Sequence, residues 1–176
     1  ERRIAKSVNF WVIYWISPFW LAKMLNISQK DAKLYIEKFF ENYPRVKSFF
    51  EEVIKKAEES WYTETMFSRK RYIEWINDRN KMIKQAAERE SMNMPIQWSA
   101  ADIIKLAMIK ISQFLKDKNL KSKIIMQVHD ELVFDVPKDE EEIMKKNIKE
   151  IMENIISWEI KLIVDIETWK NWKECK

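Results

Sequence analysis

The sequence predicts an α+β fold that is mostly helical and carries a small antiparallel sheet. Apolar residues recur at helical spacing through most of the chain, behind start signals such as Ser28-Gln29-Lys30-Asp31 and Ser99-Ala100-Ala101-Asp102. One stretch, residues 124–137, changes period. Its two runs, 124–128 and 132–136, are rich in Ile, Val and Phe and flank the polar break His129-Asp130-Glu131. No apolar run reaches the roughly 18 residues of a membrane span, which argues against a membrane partner.

Taken in order, Arg2, Lys6, Phe10 and Tyr14 recur every fourth residue and stack along one face of a first helix. Two cations followed by two aromatics suit a ligand with phosphates at one end and a flat base at the other. An amphipathic helix with a basic rim and a buried aromatic end is the plainer alternative. Ser17-Pro18 opens a short helix, with proline in its first turn. The box at Ser28 opens a helix over about 29–42, with Leu34, Phe39 and Phe40 as core candidates. Pro44 separates it from a helix over about 46–59. Residues 62–65 and 71–73 read as a small hairpin around Phe67-Ser68-Arg69-Lys70, a basic turn that meets either a phosphate backbone or water.

A helix follows over about 80–94, and Pro95 is expected to stop it. Arg89, Asn93 and Gln97, spaced by four, form a polar set fit to line a duplex groove; buried capping polars are the alternative. Ser99 is expected to cap a second long helix with Ile103, Ala107, Met108, Ile111 and Leu115 on its core stripe. Gln97 would then sit just ahead of the positive end of that helix dipole. Beyond the central hairpin, an acidic start leads into a helix over about 139–156. Residues 162–166 are expected to add a strand to the sheet.

Charge by itself decides little. The net charge is +4 and the 34% charged residues are mixed in sign. One cysteine, Cys175, rules out a disulfide framework within the chain and fits a reducing cytoplasm. The first residue is Glu1, in mid-helix pattern, so a piece cut from a longer chain is expected. Glycine is absent and tryptophan occurs nine times.

The carboxylates at Asp130 and Glu131 carry the chemistry best. Two strands would hold them rigidly, and Mg²⁺ prefers such oxygen ligands. A solvated acidic turn is the alternative for three residues seen alone.

Three motifs taken together resemble the bacterial family A DNA polymerases. They are Arg2-(x3)-Lys6-(x3)-Phe10-(x3)-Tyr14; Arg89-(x3)-Asn93-Met94-Pro95-Ile96-Gln97 with Ala100-Ala101-Asp102; and Gln127-Val128-His129-Asp130-Glu131. The ending Asn171-Trp172-Lys173 is similar as well, so the likeness covers the whole chain. It implies part of a right-hand polymerase: fingers and adjoining helices with a small hairpin over 1–95, and the C-terminal part of the palm over 96–176.

The resemblance implies roles residue by residue. Asp130 is catalytic and binds metal, with Glu131 as an assisting carboxylate. Arg2 and Lys6 hold the triphosphate, and Phe10 and Tyr14 face its sugar and base. Phe10 resembles the subset that disfavours nucleotides lacking a 3′-hydroxyl. Arg69, Arg89, Asn93, Gln97, Gln127 and His129 contact primer or template. The implied partners are primer–template DNA and deoxynucleoside triphosphates, and the enzyme would be a monomer. The implied chemistry is two-metal phosphoryl transfer with two Mg²⁺ ions, one set of ligands lying outside these residues. On that reading this piece alone lacks an upstream aspartate and is inactive. A non-catalytic nucleic-acid-binding module with the same fold is the competing reading. The likeness also puts glycine where this chain has Trp11, Trp15, Trp98 and Trp169, makes it common at Trp20 and Trp61, and keeps tryptophan at Trp172.

Overall fold

A computed structural model describes residues 16–171 and 174. The expected first helix with Arg2, Lys6, Phe10 and Tyr14, and likewise Trp11, Trp15, Trp172 and Cys175, lie outside the described residues. The chain divides into two compact units, residues 1–99 and 100–176.

The first unit opens with α1, Pro18–Leu25, where the Ser17 hydroxyl accepts from the Trp20 N–H at 3.4 Å. Helix α2, Gln29–Asn42, starts as its box predicts. The Ser28 hydroxyl accepts from the Asp31 N–H at 3.1 Å and donates to the Asp31 carboxylate at 2.7 Å. Leu21, Ala22 and Ala32 bury between these two helices, with Leu25, Ile27 and Ile36 against them. Leu34, expected inside, is exposed, and Phe40 is half-buried; Phe39 alone of the three is buried. The helix is amphipathic, and the small Ala32 takes the place on its buried face that periodicity alone offered to Leu34.

Helix α3, Pro44–Ser60, starts on Pro44 and ends at Trp61. It leads into a hairpin of β1, Tyr62–Glu64, and β2, Lys70–Tyr72, paired antiparallel with Tyr62 opposite Tyr72. Ala57, Ile73, Ile76 and Ala87 close a core beneath them. The Lys84 ammonium reaches the Glu58 carboxylate at 2.6 Å.

Helix α4, Lys81–Asp117, is the first correction. It runs unbroken through Pro95, where the sequence predicts two helices. An internal proline costs about 3 kcal/mol because it removes a donor and crowds the preceding turn. Met92 and Met94, both almost fully buried beside it, each return about 1.5–3 kcal/mol and offset that cost. Ser99 is no cap. Its hydroxyl accepts the Met66 N–H at 2.9 Å, serving the hairpin turn instead of a helix start. Gln97 therefore sits in mid-helix, away from any dipole end.

In the second unit α4 buries Ile104, Ala107, Ile111 and Leu115, whereas the expected Ile103 and Met108 are half-buried. Strands β3, Lys123–Val128, and β4, Glu131–Asp135, pair antiparallel with a bulge at Ile125. A 3₁₀ turn, Lys138–Glu140, precedes α5, Glu141–Glu153, so the last helix starts later and stops earlier than predicted. Ile111, Leu115, Met144 and Ile148 form the core, and Ile124, Leu132 and Phe134 pack against it from the hairpin.

The expected third strand is absent among the described residues. Residues 162–166 keep the alternation of half-buried and exposed side chains, yet pair with no strand. The Val164 N–H donates to the Glu153 carboxylate at 3.0 Å, and Ile166 packs on the core. That segment is tied to α5 and the core without a ladder partner.

Candidate active site and nucleic-acid interface

The β3–β4 turn is two residues long. Val128 pairs with Glu131, leaving His129 and Asp130 as the loop. Reversing the chain in two residues demands an unusual backbone angle, and His129 supplies it with φ 52°. Histidine tolerates this region better than most side chains. The Gln127 amide donates to the His129 carbonyl at 2.6 Å and braces the turn from the strand below.

Gln127, His129, Asp130 and Glu131 are all exposed. The turn thus presents two adjacent carboxylates to solvent on a hairpin whose inner residues, Ile124, Leu132 and Phe134, are held by the core. Among the described residues no group of three His, Cys, Asp or Glu side chains gathers as a metal cage. Mg²⁺ keeps several waters and commonly takes only one or two protein carboxylates beside substrate phosphates, so Asp130 and Glu131 fit that ion as partial ligands.

The other predicted residues fall in the first unit. Arg69 ends the β1–β2 turn, where the Thr65 N–H donates to the Arg69 carbonyl at 3.0 Å and the Arg69 N–H to the Thr65 hydroxyl at 3.2 Å. Its guanidinium donates to the Trp98 carbonyl at 3.3 Å and lies 4.4 Å from the centre of the Trp98 ring. Arg89, Asn93 and Gln97 share one face of α4. The Asn93 amide donates to the Gln97 side-chain oxygen at 2.9 Å, while its own oxygen is buried and meets no hydrogen-bond partner among the described residues. Arg89 is exposed.

Arg71 escaped the sequence reading. Its guanidinium stacks 4.8 Å from the same Trp98 ring and pairs with Glu90. The signal was present: Arg69 and Arg71 are two apart along an extended chain and so share a face. The hairpin tip therefore gathers Arg69, Lys70 and Arg71, with Lys70 lying 4.2 Å over the Tyr62 ring.

Known proteins resemble this chain along its whole length. The family model described as DNA polymerase family A matches residues 1–174. DNA polymerase I of Caldicellulosiruptor bescii is 47% identical over 175 residues, 99% of this chain and 21% of the relative. The Lactococcus lactis subsp. cremoris enzyme is 47% identical over 176 residues, covering 100% of this chain and 20% of the relative. The Bacillus subtilis enzyme is 42% identical over 175 residues. A solved structure, the POL domain of Pol1 from M. smegmatis in complex with DNA primer-template and dNTP, superposes with a TM-score of 0.87 at 38% identity. It covers 92% of this chain and 28% of that one. The chain spans about a fifth of the length of these bacterial DNA polymerase I relatives. With a family match from end to end and a polymerase-domain fold to go with it, the chain belongs to DNA polymerase family A.

Proposed function

We propose that this chain is the C-terminal part of a template-dependent DNA polymerase that adds deoxynucleotides to a primer 3′ end in replication and repair. Residues 1–95 would serve as fingers and adjoining helices and 96–176 as the C-terminal part of the palm. The observation that carries the reading is the exposed Asp130-Glu131 pair at the tip of the β3–β4 hairpin, in a chain that matches a polymerase family throughout. The structural relative holding primer-template and dNTP supports the choice of substrates.

In this reading Asp130 provides fixed negative charge where the primer terminus and nucleotide meet, and Glu131 assists. Bound Mg²⁺ supplies positive charge that neutralises the phosphates in the transition state. Arg2 and Lys6 bind triphosphate oxygens through charge-assisted hydrogen bonds, and Phe10 and Tyr14 offer stacking surface to the sugar and base. Arg69, Arg89, Asn93, Gln97, Gln127 and His129 position primer and template. The enzyme works as a monomer in the bacterial cytoplasm.

The test is Asp130→Ala in the full-length polymerase. Nucleotide addition is expected to vanish while primer–template binding persists, because duplex affinity comes from many phosphate contacts. Incorporation by the purified variant above a no-enzyme blank overturns the assignment.

A further inference from the structure

Glycine is missing from all 176 residues, while tryptophan occurs nine times. Average usage of about 7% glycine would supply roughly 12. Isoleucine, lysine and asparagine are abundant, and their codons are rich in A and U.

The tryptophans are also badly placed for tryptophan. Six lie among the described residues. Trp20, Trp61, Trp75, Trp158 and Trp169 are exposed, at 45–59%. A ring of some 150–250 Å² ordinarily gains by burial, and tryptophan is highly buried on average.

Trp61 adds a backbone anomaly. It ends α3 at φ 63° and ψ 12°, the left-handed region in which a Cβ is penalised and where helices most often place glycine. Its N–H donates to the Ala57 carbonyl at 2.8 Å, and its carbonyl accepts the Ile73 N–H at 2.9 Å. Both bonds are made by the main chain and survive removal of the indole. Of the other left-handed residues among those described, Asn26, Asn119 and His129 are types that tolerate the region, and Ser68 is a small side chain in the β1–β2 turn; Trp61 is the one bulky residue there.

Trp98, the sixth, differs: it is half-buried with the Arg69 and Arg71 guanidiniums against its ring. The hydrogen bond that holds Arg69 there is to the carbonyl of residue 98, again a main-chain atom.

We propose that Trp61, and with it Trp20, Trp98 and Trp169, are encoded by UGA and that the native protein carries glycine at these positions. One reassigned codon accounts jointly for the missing glycine, the surplus tryptophan, the exposed indoles at 20, 61 and 169 and the left-handed helix end. Independent substitutions would have to choose the bulkiest side chain each time. With glycine at 98 the guanidinium faces of Arg69 and Arg71 lose the ring stacked on them, while the Arg71–Glu90 ion pair remains.

The experiment joins the nucleotide sequence of the gene with peptide mass spectrometry of the protein purified from its own source. UGA at codons 20, 61, 98 and 169, with glycine in the matching native peptides, is the expected result. UGG at codon 61, or tryptophan at position 61 in the native peptide, overturns the proposal.

Discussion

Arg69 is distinguished among the candidates by what surrounds it: a basic turn and the backbone carbonyl of residue 98, which hold its guanidinium. A fixed guanidinium loses less freedom on meeting phosphate than a loose one. In the full-length polymerase Arg69→Ala is expected to weaken duplex binding about equally for all sequences. The slope of log affinity against log salt should flatten by about one. An unchanged slope in a titration series shows that Arg69 touches no phosphate. Lys6 calls for a different readout, since its proposed ligand is the nucleotide. Losing a charge-assisted bond costs about 1.5–3 kcal/mol, so Lys6→Ala should raise the apparent KM for nucleotides and lower the rate while duplex affinity stays level. Steady-state kinetics with unaltered nucleotide dependence would count against the assignment. Arg71 shows why residue-level reading stops short. The Glu90 carboxylate it pairs with is 19 positions away in sequence (90 − 71), a proximity that only the fold reveals.

Elements are held by a few identifiable ties, and the clearest joins the 3₁₀ turn to the loop before β3. The Glu140 carboxylate accepts from the Lys121 N–H at 2.7 Å, the Ser122 N–H at 2.8 Å and the Ser122 hydroxyl at 2.5 Å. These bonds favour the ionised form, led by the Lys121 N–H, and hold the carboxyl below its usual range despite its burial. The sign follows from linkage. A depressed folded pKa gives stability that is complete above the ordinary carboxylate value and is lost as pH falls through the folded value. Glu140→Gln is therefore expected to lower the thermal midpoint at neutral pH and to narrow its gap from wild type in acid. Equal differences at pH 7 and pH 3 in calorimetry would refute the tie. Element starts were legible where a local rule acts alone, as at Ser17-Pro18 and Ser28. They were misread where a distant group intervened: Ser99 looked like a cap because Met66, its true partner, is 33 positions earlier in sequence.

For the whole molecule, the α+β class and the central hairpin could be read from periodicity, because one face of each element must be apolar. The tail at 162–166 could not, since alternation marks a half-buried extended chain but does not say whether a ladder partner exists. The hairpin and its exposed carboxylates were legible, although the break expected over 129–131 is a two-residue turn and Glu131 starts β4; the pairing of Arg71 with Glu90 was not legible. The unbroken helix through Pro95 carries one further consequence, for time rather than for energy. The peptide bond ahead of Pro95 is trans, as are the others among the described residues. In an unfolded chain about 10–30% of such bonds are cis, and they convert over tens to hundreds of seconds. Molecules caught in the cis form cannot complete α4 until that bond turns. Refolding of the denatured polymerase should thus show a slow phase that a prolyl isomerase accelerates, and Pro95→Ala should shrink its amplitude. An amplitude untouched by that substitution would mean that some other bond sets the pace at which the helix closes.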